Sequence, residues 1–223
     1  MNILHLETSS RNCSVSISNG NKLISTCEEI SESLNQSEKL HRFVQWALEG
    51  ASLELKDLDV ISLGKGPGSY TGLRIGASAA KGFCFGLEIP LVASESIATL
   101  ASPFIGKEYD LIIPLIDARR LEVYTAVYDG LTGEVIAPTT NKILSEDSFQ
   151  LFKEKRILFV GDGAAKAQEI VVQDKCDFLS GFYPSSQYLV NPAMTRILAE
   201  EFEDVAYFEP FYLKDFHGVK KTK

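Results

Sequence analysis

The chain has 223 residues, 45% of them hydrophobic and 23% charged, with a formal net charge of −8. That balance excludes a disordered chain or a fibre, and the excess of acid argues against a stand-alone nucleic-acid binder. Cys13, Cys27, Cys84 and Cys176 form no C-x-x-C pair and read as small apolar residues in a reducing, cytoplasmic setting, and no apolar run approaches the ~20 residues that cross a bilayer.

The start of the chain lacks the basic stretch of a signal peptide and enters a strand directly, over residues 3–8. Cys13, Val15 and Ile17 alternate with Asn12, Ser14, Ser16 and Ser18, the period-two pattern of a half-buried strand. Asn19-Gly20 is a hairpin signal, and residues 22–30 return antiparallel. Leu40, Phe43, Val44, Ala47 and Leu48 form one helical apolar stripe, with Ser37 as its predicted N-cap and Gly50 as its stop. A strand at 59–63, an irregular loop at 64–69, a small-residue helix at 71–86, a strand at 89–93 and a short helix at 94–101 complete a βββαβαβα order.

The pattern breaks over residues 102–109 and begins again. Strands are predicted at 111–116, 122–128 and 134–137, with a turn at Gly130 and Gly133. Ser145 caps a predicted helix with Glu146 and Asp147 in its first turn and Lys153, Lys155 and Arg156 at its end, as a helix dipole favours. A strand at 157–160, a Gly161-Asp162-Gly163 loop, a helix at 164–172 and a last helix entered at Asn191-Pro192 and running to 202 follow. The second half repeats βββαβα, and Glu7 and Asp117 occupy the same place at the end of each first strand. Two such units predict an α/β, duplicated ribonuclease-H-like fold of the actin, sugar kinase and Hsp70 class. Its lobes are expected over residues 1–102 and 103–223, the second one reduced. The fold alone does not give the function.

The sharpest motif is the loop and helix start from Gly64 to Gly76. A Gly-rich loop entering a helix N-terminus offers free N–H groups to an anion, or it is a tight turn fixed by its glycines. No Lys-Ser/Thr pair follows the last loop glycine, so it is not a Walker A loop. In the helix, Gly72, Gly76 and Ala80 lie four apart, with Ala79 and Phe83 beside them. Small residues at that spacing let a partner helix come close, or pack on the chain's own sheet. Leu73, Ile75, Ala77 and Cys84 can serve the sheet, which leaves the glycine ridge for a partner. Trp46, off the core stripe of the first helix, is either an interface anchor or a half-buried surface residue.

Gly66-Pro67-Gly68-Ser69-Tyr70-Thr71-Gly72-Leu73-Arg74-Ile75-Gly76 resembles the signature of the bacterial TsaB (YeaZ) family. So do Ile3-Leu4-His5-Leu6-Glu7-Thr8-Ser9, Asp117-Ala118-Arg119-Arg120-Leu121-Glu122-Val123-Tyr124 and Glu209-Pro210-Phe211-Tyr212-Leu213, in the family's order and across nearly the whole chain. The resemblance implies a non-catalytic partner of TsaD, joined by TsaE, in forming threonylcarbamoyladenosine next to the tRNA anticodon. It implies tRNA contact only through the complex, no membrane, and no cofactor of its own, ATP and metal belonging to TsaD and TsaE. It also implies that the helices near 37–48 and 71–83 form a bundle with matching helices of TsaD, and an uncovered face of that kind favours a homodimer when the chain is alone.

The expected interface is Leu40, Phe43 and Ala47 with Gly72, Arg74, Gly76, Ala79, Ala80 and Phe83. Gly66, Pro67, Gly68, Ser69 and Thr71 would set the loop and cap that aim the second helix. TsaD carries an H-x-x-x-H metal pair where this chain has Ser94 and Ala98, and His5, His41 and His217 have no metal-ligand spacing. Three further readings remain open at this level. Val160-Gly161-Asp162-Gly163 with Glu7 and Asp117 suggests degenerate ATP binding. The resemblance also implies a glycoprotease-like hydrolase as an alternative, since related proteins were once labelled glycoproteases, although no G-x-S-x-G elbow surrounds Ser69. Lys214, His217, Lys220, Lys221 and Lys223 are either a solvated tail or phosphate contacts.

Overall fold

The computed structural model describes residues 1–31 and 36–214. The first lobe holds β1 (Asn2–Glu7), β2 (Asn12–Asn19), β3 (Lys22–Ile30), α1 (Gln36–Ala51), β4 (Val60–Gly64), α2 (Tyr70–Leu87), β5 (Leu91–Ser94) and α3 (Ser96–Ala101). The second holds β6 (Leu111–Asp117), β7 (Glu122–Asp129), β8 (Val135–Ile143), β9 (Ile157–Val160), α4 (Ala164–Ile170) and β10 (Cys176–Leu179), followed by α5 (Val190–Leu198). The strand orders are β3-β2-β1-β4-β5 and β10-β9-β6-β7-β8. In each sheet the first three strands are antiparallel and the last two run parallel to the first. The two sheets therefore share one topology, the duplicated ribonuclease-H-like arrangement.

Four apolar clusters hold the layers. Leu4, Leu6, Val15 and Ile61 pack under α1 and α2 through Leu40, Phe43, Ala77 and Ala80. The opposite face of that sheet, at Ile3, Val60 and Val92, is covered by Ala193 of α5. In the second lobe Ile113 packs with Leu115, Phe159 and Ala167. Between the lobes, Ile97 and Leu100 of α3 meet Ile112, Ile116 and Val160.

Three expectations are corrected. The serine face of β2 is buried rather than half-exposed, because hydroxyls satisfy one another there. Ser186 bonds Ser14 (2.7 Å) and Ser16 (2.6 Å), and Ser18 bonds His5 Nε2 (2.8 Å). The helix predicted from Ser145 to Arg156 is only a 3₁₀ turn at Gln150–Phe152. Phe149 breaks it by taking a left-handed φ of 67° that places its ring in the core, 5.2 Å from Phe159. The described part of the span 103–223 is not one lobe: Ser185 and Ser186, α5, Val205 and Phe208 pack back on the first sheet, and Glu203 bridges Leu91. The second lobe is nonetheless the smaller. Where the first has the 16-residue α1 and 18-residue α2, it has the 3₁₀ turn and the 7-residue α4. Boundaries shift as well. Ser37 lies inside α1 rather than capping it, Gly50 lies in its last turn, α5 spans Val190–Leu198, and β10 was not foreseen.

Candidate partner-binding face

β4 ends at Gly64, and the glycine loop leads into α2, whose N-cap Ser69 accepts a hydrogen bond from the Gly72 N–H (3.3 Å). The loop is tied on every side. Lys65 N–H donates to the Ser94 carbonyl (2.8 Å), Gly66 N–H to the Ser96 hydroxyl (3.1 Å) and Ser69 N–H to the Ser9 carbonyl (2.6 Å). These amides are among the groups an anion would use, and the chain uses them itself. Gly66 has a φ of +106° and lies against the Leu73 methyls and the Phe211 carbonyl, so a side chain there is strained. The same β1–β2 loop anchors both helices: Thr8 Oγ1 donates to the Gly72 carbonyl (2.8 Å) and Gln36 Nε2 to the Ser10 carbonyl (2.6 Å).

The orientation expected for the glycine ridge is reversed. A Cβ at Gly72 would collide with the Thr8 carbonyl, and one at Gly76 with the Thr8 hydroxyl. Ala80 is fully buried and Ala79 nearly so. Leu40, Phe43 and Ala47 of α1 are likewise core residues under the sheet. The ridge is thus the close-packed inner face of α2, where backbone meets backbone and leaves no room for a foreign helix. Leu73, Ala77 and Cys84, expected against the sheet, are buried there too. More than half of the girth of α2 is consumed inside the lobe.

What α2 shows outward is a different stripe. Thr71, Arg74, Ser78, Gly82 and Phe85 are exposed, with Ile75 and Phe83 half-buried beside them. Space around a Cβ at Gly82 or Gly86 is open. As far as Phe83, this stripe lines a groove of about 860 Å³ together with Ser37 and His41 of α1. The His41 ring meets the edge of Phe83 at 5.8 Å. At the other end the Arg74 guanidinium lies 4.2 Å from the Tyr70 ring centre, and that ring lies 5.1 Å from Tyr212. Tyr212 belongs to the C-terminal strap, held by Phe211 N–H on the Lys65 carbonyl (2.8 Å) and by Lys81 Nζ on the carbonyls of Ala206 and Phe208 (3.0 Å each). Of the expected interface residues, Arg74 and Phe83 lie on this face, Thr71 is its first exposed residue, and Ala79 forms part of the floor. Ile75, Ser78 and Gly82 were not assigned to it, and the signal for Ser78 and Gly82 was the second small-residue spacing, at 78, 82 and 86.

The acidic groups singled out in the sequence are inward or paired. Glu7 is buried, its Oε1 accepting from Ser9 N–H (2.8 Å), and burial pushes its carboxyl above the usual range. Asp117 pairs with Lys166 (2.7 Å), and its N–H donates to Asp162 Oδ1 (2.8 Å), whose carboxyl burial also raises. Gly163 N–H donates to the Leu115 carbonyl (3.0 Å), so that loop is closed by packing. Ser94 Oγ is buried without a partner and Ala98 has no donor atom, which does not fit a metal's histidine pair. Among the described residues no three His, Cys, Asp or Glu side chains gather as a metal site, and no helix is long and apolar enough to cross a membrane. Of the basic tail only Lys214 lies within the described residues, where it pairs with Glu122; His217, Lys220, Lys221 and Lys223 lie outside them.

Residues 31–216 match the family profile described as "TsaD: tRNA N6-adenosine threonylcarbamoyltransferase". The tRNA threonylcarbamoyladenosine biosynthesis protein TsaB of Bacillus subtilis is 34% identical over 187 residues, covering 81% of this chain and 80% of that protein. The chain belongs to the TsaB family. The protein of that name from Haemophilus influenzae is 30% identical, covering 99% of this chain and 97% of its own length. The solved structure of YeaZ from Pseudomonas aeruginosa superposes with a TM-score of 0.81 at 25% identity, over 95% of this chain and 99% of that one. The four sequence blocks that resemble TsaB converge in this structure. The first and second meet where Thr8 touches Gly72, the second and last where Tyr70 meets Tyr212, and the last continues into Lys214 beside Glu122 of the third.

Proposed function

We propose that this TsaB-family chain is the non-catalytic binding subunit that seats TsaD, with TsaE joining, for threonylcarbamoyl transfer to tRNA in the cytoplasm. The observation that carries the reading is the outward groove of α1 and α2. It is apolar at Ile75 and Phe83, nearly flat at Ser78 and Gly82, and bounded by the cation of Arg74. A helix pair can approach such a surface closely, gaining dense dispersion contacts, while Arg74 selects an acidic or carbonyl partner at one end. Transfer chemistry is assigned to TsaD, since Ser94 and Ala98 stand where its histidine pair would be. When alone, the chain covers the same groove with a second copy.

Gly82→Trp tests this, because the added ring points into open space. The variant is expected to keep the wild-type melting temperature, to lose co-elution with TsaD, and to size as a monomer. Co-elution at wild-type yield overturns the assignment. Arg74→Glu is expected to weaken the heterodimer in the same assay without unfolding the chain.

A further inference from the structure

We infer that the tip of the β6–β7 hairpin, Arg119 and Arg120, contacts the phosphate backbone of the tRNA in the assembled complex. This rests on the reading given under Proposed function and adds to it a direct RNA contact made by this chain. Both residues are exposed, and both have left-handed backbones, with φ of 69° and 51°. Consecutive positive φ values in a hairpin are normally met by Asn-Gly, because a Cβ is strained there. Two arginines stand instead, a choice that the turn itself does not favour.

The neighbourhood shows what is left over. Lys166 braces the base of the hairpin, donating to Asp117 Oδ1 (2.7 Å) and the Glu122 carbonyl (3.1 Å). Arg119 N–H donates to the same Asp117 oxygen (2.6 Å). Glu122 is paired with Lys214 and accepts from Asn141 (2.9 Å). The nearby carboxylates are thus matched by lysines, with Arg120 only a lesser electrostatic influence on Glu122, and among the described residues neither tip guanidinium forms a salt bridge. The hairpin therefore holds two exposed planar cations side by side on a chain whose net charge is −8. A polyanion repelled by the rest of the surface finds its complement there, and guanidinium matches phosphate in geometry as well as charge. The base of the hairpin is linked along the chain to one end of the proposed partner face. Lys214, at the hairpin base, is two residues, about 7 Å of extended chain, from the Tyr212 that stacks at the end of the groove.

The test compares three chains, each assembled with TsaD and TsaE: wild type, Arg119→Asn/Arg120→Gly, and Arg119→Lys/Arg120→Lys. Sizing reads assembly, and tRNA affinity is then measured by fluorescence anisotropy across a salt series. The Asn-Gly variant relieves the turn, so it is expected to melt at or above the wild-type temperature. Its tRNA affinity near 0.1 M salt is expected to fall roughly tenfold or more, with the slope of log K on log salt shallower by about 1.5, as the loss of two phosphate contacts requires. The double-lysine variant is expected to restore most of the slope. An assembled Asn-Gly complex with wild-type affinity and slope overturns the inference and leaves the scaffold reading standing. Failure of the wild-type chain to assemble overturns both.

Discussion

At the residue scale, His5 and Glu7 sit one residue apart on β1, both fully buried, and they respond to pH in opposite directions. Burial lowers the His5 imidazole to about 3, with Nε2 held by Ser18 and Nδ1 unpartnered. The unfolded chain takes up that proton near pH 6.5, so the stability that the neutral ring contributes is complete above 6.5 and falls as the medium is acidified towards 3. At pH 5 the loss is about 2 kcal/mol. Burial raises the Glu7 carboxyl, so its contribution is present in acid and is lost as pH rises through the folded value. His5→Gln separates the two. Wild type and variant, unfolded in urea at about pH 7.5 and pH 5, should differ in their acid sensitivity by that ~2 kcal/mol. An identical stability difference at both pH values would show that the imidazole is not held neutral.

At the element scale, α2 carries two ridges of small residues, Gly72-Gly76-Ala80 and Ser78-Gly82-Gly86, and only packing distinguishes them. A Cβ on the first strikes Thr8, while a Cβ on the second at Gly82 or Gly86 meets nothing. Gly82→Ala is therefore expected to stabilise the chain by up to about 1 kcal/mol through helix propensity. Gly72→Ala should destabilise it by more than that gain, because the Thr8 backbone cannot step aside. Denaturant midpoints of the two variants check the pair, and equal midpoints would refute the orientation of the helix. The ambiguity explains which parts of this region were legible in the sequence. The existence of α2, its Ser69 cap and its richness in small residues follow from local pattern. Which ridge turns inward depends on Thr8, far earlier in the chain, and no periodicity reports that. The false helix after Ser145 has the same origin: its capping and charge signals are sound, but Phe149 is drawn into the core beside Phe159 and the local preference is overridden. The four residues of β10 are too few to show a period, and they become a strand by pairing with β9.

At the scale of the molecule, the two sheets share a topology but not an independent existence. The duplication was visible in the order of predicted elements. The return of the C-terminal stretch to the first sheet was not, because it is made by serines and short apolar contacts without a motif. Ser186 lies at the centre of this seam, bonding Ser14 and Ser16, while Ser185 and Ser14 both donate to Glu28 (2.6 and 2.8 Å). Removing one hydroxyl leaves buried partners partly unmatched, so Ser186→Ala is expected to cost about 1–2 kcal/mol. The seam ties α5 to the sheet, and the amides of residues 190–198 should then exchange with deuterium faster than in wild type, while those of β6 and β9 are unchanged. Uniformly faster exchange across both lobes would mean that the seam supports the whole molecule rather than the attachment of α5.

The placement of α5 also orders events during synthesis. Ile3, Val60 and Val92 are synthesised before the residue that shields them, Ala193, which follows the last of them by 101 positions. Until then the first-born half carries a bare oily underside. Its cover arrives only with α5, so a nascent chain halted before that helix is a natural client for a chaperone.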